Sequence, residues 1–268
     1  MILTVATMQE FWEARIQRAK QLASQNTGAS ELLTFYSLLL GTQQEIYEDL
    51  RQHKDLITVD SLGQALSLLR ALMPKLLAVV ERSGPAQLSA EARSLRQASA
   101  TELDTLLLDY WHTRSDLKFF AKALLQPWAQ CLAETGTQIS ERNTQTSENR
   151  CPFCTGRPQL AFLRAAPGAD GGNRYLLCAT CLTAWPFRRV VCARCGEERP
   201  AKLCSFHAPE FDHVRIEACD SCRHYLKGVD LTRLGLAVPL VDEVATVALD
   251  LWAREHGYTK IELNLVGL

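Results

Sequence analysis

Eight of the nine cysteines from Cys151 to Cys222 carry the most legible chemistry in this sequence. They form four Cys-x-x-Cys pairs: Cys151/Cys154, Cys178/Cys181, Cys192/Cys195 and Cys219/Cys222. Between Cys154 and Cys178 lie 23 residues, and 23 more lie between Cys195 and Cys219, so each cysteine of the first set recurs 41 positions later. That pattern reads as a duplicated unit with one four-cysteine site per copy. A Cys-x-x-Cys turn aims two sulfurs at one point while backbone N–H groups bond to them. Two such knuckles complete a tetrahedron around a metal ion, with metal–sulfur distances of ~2.3 Å. Soft thiolate tetrahedra accept zinc or iron, zinc implying a structural site and iron a redox-active one. A thioredoxin-type dithiol would need a single motif at a helix N-terminus after a strand, which the number and spacing here do not fit. Each unit could close on itself, or the two central pairs could share a site; equal spacing favours the first.

The other reactive side chains form weaker patterns. His207 and His213, with Cys204, Glu210 and Asp212, match no zincin or deaminase spacing and are expected to line the insert of the second unit. Trp185-Pro186-Phe187 is expected to cover one site with apolar surface. No nucleophile–base set or phosphate-binding loop is visible, so a non-enzyme is expected. The formal charge of -1 leaves no general case for a nucleic-acid or membrane-surface binder. Residues 150–230 are locally basic, with 12 Lys and Arg against 8 Asp and Glu. A divalent ion with four thiolates is formally -2, so two sites would cancel that excess, and the arginines of this region are expected to balance thiolate charge rather than bind phosphate. For Arg188, Arg189 and Arg194 surface solvation is the default expectation and contact with an acidic partner the alternative.

The elements that must hold these cysteines follow from periodicity. The 23-residue inserts suit hairpins, because Arg174–Leu177 and His213–Ile216 have strand-like content. Pro152, Gly156 and Gly196 favour tight knuckles. Each unit is then a zinc-ribbon or rubredoxin-like fold, at 150–187 and 188–230. A ribbon this small buries little apolar surface, so metal should contribute folding energy. Upstream, residues 1–140 carry helical stripes throughout. The spacing predicts helices over Met8–Ser24, from a Ser30 cap to about His53, from Asp60 or Ser61 to Ser83, over Leu88–Gln97 and Thr101–Trp111, and from a Ser115 cap to Glu134. Pro74 and Pro127 should interrupt two of them. Buried Cys131 reads as a small hydrophobe. Polar residues 135–150 read as a linker. In 231–268, Val241–His256 reads as one helix stopped by Gly257, followed by an extended tail over Ile261–Leu268. No apolar run approaches the ~20 residues of a membrane span, and no basic leader opens the chain, so a cytosolic protein is expected. Ten cysteines then point to metal rather than disulfides.

These motifs resemble the FdhE-type formate dehydrogenase accessory proteins. The likeness is carried by Cys151-Pro152-x-Cys154 and by Tyr175-Leu176-x-Cys178-x-x-Cys181 with Trp185 and Arg188. It extends through Cys192-x-x-Cys195-Gly196 and Cys219-x-x-Cys222-x-x-Tyr225-Leu226-Lys227-x-x-Asp230. Asp242-Glu243-x-Ala245-Thr246-x-x-Leu249-Asp250 and Gly257-Tyr258 follow. Upstream, Phe119-Phe120 through Leu124-Leu125-Gln126-Pro127 is also similar, so the specific part runs over about 119–264. Thr155 departs from the pattern where a glycine is usual. The resemblance implies a cytoplasmic accessory protein that binds the molybdenum-containing catalytic subunit of respiratory formate dehydrogenase before or during export. It also implies two rubredoxin-like sites and brings iron into consideration. The expected architecture is α+β: a helical N-terminal domain, two tandem ribbons and a C-terminal helix. The expected function is assembly of formate dehydrogenase, with rubredoxin-like electron transfer as the alternative.

Overall fold

The computed structural model describes residues 8–25, 28–53, 62–114, 118–135, 148–166 and 169–267. The N-terminal half folds as helices α1 (Met8–Gln25), α2 (Ser30–Gln52), α3 (Leu62–Ser83), α4 (Ala86–Arg96), α5 (Ala100–Thr113) and α6 (Phe119–Thr135). Their apolar stripes meet in one core that includes Trp12, Leu33, Leu39, Ile46, Leu69, Leu76, Leu107, Phe120 and Leu124. The bundle follows from 3.6-residue periodicity, since each helix can hide its stripe only against the others.

Several boundaries differ from the sequence reading. Ser30 is the first helical residue of α2 rather than its cap; Ala29 holds that place without a side-chain bond. At α5 a full capping box operates: Ser99 Oγ accepts from the Glu102 N–H, and Glu102 accepts from the Ser99 N–H at 2.8 Å. The helices α3 and α6 run through Pro74 and Pro127 without a break. The expected starts at Asp60, Ser61 and Ser115, and linker residues 136–147, lie outside the described residues. Among the described residues, α3 is long and apolar enough, by length and composition alone, to cross a membrane, although Arg70 and Lys75 interrupt its apolar run. Its side chains Leu62, Leu69, Met73, Leu76 and Val80 are buried within the bundle.

The cysteine region forms strands β1 (Pro158–Ala166), β2 (Ala169–Cys178), β3 (Ala184–Pro186), β4 (Leu203–His207), β5 (Val214–Cys219) and β6 (His224–Asp230). A shift of 41 residues carries the end of β2 at Cys178 onto the end of β5 at Cys219. By the same shift β1 corresponds to β4, and β3 to β6. Neighbours within each unit are antiparallel. The spatial order is β3-β2-β1-β6-β5-β4, so the units lie side by side in the same sense. They join through a parallel pair, with Leu160 opposite Lys227 and Leu163 opposite Asp230. The ribbons are therefore halves of one continuous sheet, joined head to tail.

The C-terminal segment packs on this sheet as α7 (Pro239–Ala245), α8 (Val247–Glu255) and β7 (Thr259–Lys260), the last pairing with β6. The sequence reading expected one helix over Val241–His256; it is broken at Thr246. The cause is a buried lysine. Lys227 Nζ donates to the carbonyl oxygens of Glu243 and Thr246, so these oxygens face the sheet instead of continuing a helical ladder. The tail pairs at Thr259–Lys260, ahead of the Ile261 start that alternation suggests.

Asp242 ties the two halves of the chain together. It accepts from Arg18 of α1 at 2.6 and 3.0 Å and contacts His213 Nε2 at 2.8 Å. Burial alone would push its carboxyl up, but hydrogen bonds from His213 and Arg18 and the charge of Arg18 hold it below the usual range.

Candidate metal centre

Each knuckle is built by the same local geometry. The Cys151 N–H donates to Gly156 O and the Thr155 N–H to Cys151 O, both at 2.9 Å. One repeat later, the Cys192 N–H donates to Glu197 O and the Gly196 N–H to Cys192 O. To turn back so sharply, the residue after each second cysteine enters the left-handed region: Thr155 at φ 57°, Leu182 at 58°, Gly196 at 76° and Arg223 at 55°. Only Gly196 takes this conformation without a Cβ penalty, which is about 1–2 kcal/mol for other residues. Thr155, the departure noted in the sequence, therefore stores strain beside the first site. Thr155→Gly is expected to stabilise the chain by roughly 0.5–1 kcal/mol, the relief being offset in part by added unfolded-state freedom. A urea midpoint no higher than the parent's would contradict this.

The knuckles converge in two separate clusters. In the first, Cys151, Cys154, Cys178 and Cys181 place their sulfurs within 4.8 Å of one another, with Cys151–Cys181 at 3.5 Å and Cys154–Cys178 at 3.4 Å. In the second, Cys192, Cys195, Cys219 and Cys222 do the same, with 3.7 Å for Cys192–Cys222 and 3.8 Å for Cys195–Cys219. A regular tetrahedron with metal–sulfur bonds of ~2.3 Å has edges of about 3.8 Å, so both donor sets fit a tetrahedral metal ion. All eight cysteines are free of disulfides. Each unit closes on itself. Backbone N–H groups approach the sulfurs as well, from Thr180 to Cys178 and from Arg194 to Cys192, both at 3.3 Å.

The clusters differ in setting. All four cysteines of the first are buried, in the same apolar core as the helical bundle. In the second, Cys195 is exposed and Cys222 half-buried. Hydrogen bonding to the other three sulfurs, and then the charge of Arg114, hold the Cys154 thiol well below its ordinary range, whereas burial pushes Cys178 and Cys181 well up. In the second cluster burial raises Cys192 to about 11. Four thiols in such a space do not all ionise without a cation, so metal binding there would release protons.

Arg114, invisible as a site residue in the sequence, is the helical half's contribution to the first cluster. It sits at the left-handed C-cap of α5, φ 54°, and stacks 4.6 Å above the Trp111 ring. Its Nη1 lies 3.6 Å from Cys154 Sγ and 2.6 Å from Thr180 Oγ1, and its Nη2 donates to Cys154 O. From α6, Gln126 donates to Ala179 O at 3.0 Å. Gly156 makes room for this: a Cβ there would stand 2.9 Å from both Cys178 Sγ and Arg114 Nη1. Arg114→Met is expected to weaken metal retention at the first cluster about 10–100-fold, the usual cost of removing such a supporting contact. Competition with a chelator would check it; equal loss from both clusters would refute the role.

Arg188, Arg189 and Arg194 make contacts within the chain. Arg188 pairs with Glu148 and Glu198, and Arg189 donates to Gly172 O. Arg194 bonds a sulfur through its backbone N–H. His207 and His213 form no cluster with Cys204, Glu210 and Asp212 among the described residues. His213 meets Asp242, His207 lies 3.2 Å from Ser205 Oγ, and Asp212 pairs with Arg233. Trp185 joins the buried core around the first cluster and donates to Glu148 O. Cys131 is buried in the bundle core.

Comparison with known proteins adds to this geometry. Family models described as "FdhE, central domain" and "FdhE, C-terminal domain" match residues 150–189 and 190–266. An FdhE homolog from Aquifex aeolicus is 33% identical over 195 residues, covering 72% of this chain and 68% of that protein. The chain belongs to the FdhE family. An FdhE homolog from Haemophilus influenzae is 26% identical over 273 residues, spanning 97% of this chain and 89% of its own length. The fold is shared with the crystal structure of the FdhE protein from Pseudomonas aeruginosa, at 24% identity and a TM-score of 0.69, with 96% of each chain covered. The likeness thus includes the helical half, where sequence motifs are sparse.

Proposed function

We propose that this FdhE-family chain is a cytoplasmic, non-enzymatic assembly factor that binds the catalytic subunit of formate dehydrogenase during maturation. The observation that carries this reading is the joint construction of the first cluster. Cys151, Cys154, Cys178 and Cys181 are buried where the sheet meets the bundle; Arg114, at the end of α5, reaches Cys154, and Gln126 of α6 bonds the carbonyl of Ala179 between Cys178 and Cys181. Metal held there fixes two halves of the chain as one body, which suits a rigid docking scaffold. Cys151, Cys154, Cys178 and Cys181 would hold one ion, and Cys192, Cys195, Cys219 and Cys222 a second. Zinc would supply structure; iron would add a redox couple. The residues around them do the remaining work: backbone N–H groups orient sulfurs, and Arg114 offsets thiolate charge.

Co-purification tests the reading. In cells making both proteins, the tagged chain is expected to bring down the formate dehydrogenase catalytic subunit. Absence of that subunit under conditions where it accumulates would overturn it.

One observation favours a second reading. Exposed Cys195 at the second cluster offers a short route from a bound ion to solvent, as a rubredoxin-like electron carrier needs. A reversible redox transition in anaerobically purified protein would support electron transfer; colourless protein with tightly bound zinc would exclude it.

A further inference from the structure

A cleft of about 690 Å³ opens beside β3, the end strand of the sheet. Residues 185–189 line it, together with Glu148, Arg150 and Arg174 among others. The internal repeat shows what such an edge carries. A shift of 41 residues takes Pro186, Phe187, Arg188 and Arg189 onto Lys227, Gly228, Val229 and Asp230. Those four are the positions of β6 that pair with Leu160–Leu163 of β1 where the ribbons join. In the second ribbon this edge therefore seats a parallel strand; in the first, no strand lies on it among the described residues. The β3 backbone can take one. Thr183 O accepts from the Cys178 N–H and the Phe187 N–H donates to Arg174 O, so residues 183, 185 and 187 face β2. In an antiparallel pair the residues between them turn their backbone groups outward, and Ala184 and Pro186 are both exposed.

Charge decides which strand fits. Four arginines line the cleft against one carboxylate, that of Glu148. Arg174 is committed to Glu217, whereas Arg188 contacts Glu148 and Glu198 with its side chain still 55% exposed. Arg189 is exposed, and half-buried Arg150 forms no ion pair with a described residue. Opposite Phe162 and Leu163 the second ribbon sets Val229 and Asp230; the first sets Arg188 and Arg189 at the equivalent places. Proline and positive charge on an edge deter indiscriminate strand pairing, and a strand bearing carboxylates turns that charge to its favour. We propose that the β3 edge and its arginine-lined cleft bind an extended acidic segment of another protein, laid parallel to residues 184–189 with its carboxylates on Arg150, Arg188 and Arg189. Nucleic acid would meet the arginines, but it brings no alternating backbone donors and acceptors for Ala184 and Pro186. The site is independent of the function proposed above: a chain without affinity for formate dehydrogenase would still take such a segment.

The test titrates the full chain with a fluorescent nonapeptide of alternating glutamate and valine. One control peptide carries glutamine for every glutamate. A second keeps the glutamates but carries proline for every valine, which preserves charge and removes alternate N–H groups. The glutamate–valine peptide is expected to bind more tightly than either control. Arg189→Glu should weaken its binding by roughly tenfold or more, the loss of a charge-assisted contact. Amide exchange at Ala184 should slow when the glutamate–valine peptide is added and not when the proline peptide is. Circular dichroism establishes that the variant is folded; if it is not, Arg188→Gln replaces it with the same expectation. Equal affinity for the two acidic peptides, an Ala184 amide that does not respond, or equal affinity for a single-stranded RNA nonamer would each overturn the proposal. So would self-association of the chain that Arg189→Glu abolishes, since the edge would then serve a second copy.

Discussion

Replacing Cys154 by serine is expected to loosen the whole chain, whereas replacing Cys195 by serine should cost one metal ion and little else. The difference lies in what surrounds each cluster. Cys154 is fully buried, shares a core with the bundle and is contacted by Arg114. Structural metal supplies roughly 10–16 kcal/mol in small zinc domains, so losing a ligand there removes more stability than an ordinary domain holds in reserve. The first ribbon should unfold and the helices should lose their seat on the sheet. In the second cluster Cys195 is exposed. The strands beside it have a separate apolar core, with Val214, Ile216, Tyr225 and Val229 packed against Leu240 and Leu249 of α7 and α8. Limited proteolysis should therefore cut Cys154→Ser near the domain junction and leave Cys195→Ser resistant. The reverse order would contradict the assignment of structural weight to the first cluster.

The second large effect is expected at a site with no cysteine. Lys227, Lys260, Glu243 and Asp250 have fully buried side chains and form one ionic network between β6, β7, α7 and α8. Lys260 Nζ contacts Asp250 Oδ1 at 3.0 Å and also Glu243; Lys227 reaches both carboxylates too. Tyr225 donates to Asp250 at 2.9 Å, and Asn264 to Glu243 at 2.9 Å. The two charges of each sign cancel. Lys260→Met would leave a net negative charge out of water, and breaking a buried pair this way costs about 3–5 kcal/mol. Urea denaturation at neutral pH should show that loss. The double variant Lys260→Met/Glu243→Gln, which restores charge balance, should be less destabilised than the sum of its single changes. Additive losses would mean that the four groups do not act as one network.

What could be read from the sequence was what depends on local spacing. A knuckle needs its two cysteines three apart, and a 41-residue repeat marks equivalent positions in two copies, so the membership of each cluster followed from Cys151 to Cys222 alone. Helical stripes such as Leu69–Met73–Leu76–Val80 were legible for the same reason. The join between the ribbons was not. Whether β1 meets β6 or the units stand apart depends on pairing between Leu160 and Lys227, 67 positions away, which no local pattern encodes. Arg114 was hidden likewise, 40 positions from the sulfur it faces. The break at Thr246 escaped because Val241–His256 has unbroken helical periodicity; a lysine on a distant strand diverts the carbonyls. Lys227, Glu243 and Asp250 stood in the sequence only as members of motifs and Lys260 stood out in none, since composition does not reveal that four charges cancel in one interior.

The central claim is that eight cysteines make two metal sites of unequal depth. It is tested most directly by elemental analysis of the anaerobically purified full chain beside Cys154→Ser and Cys195→Ser. The account predicts two metal ions per parent chain and one in Cys195→Ser, with Cys154→Ser losing its first-site ion. Metal content unchanged in both variants, or a parent chain free of bound zinc and iron, would contradict it.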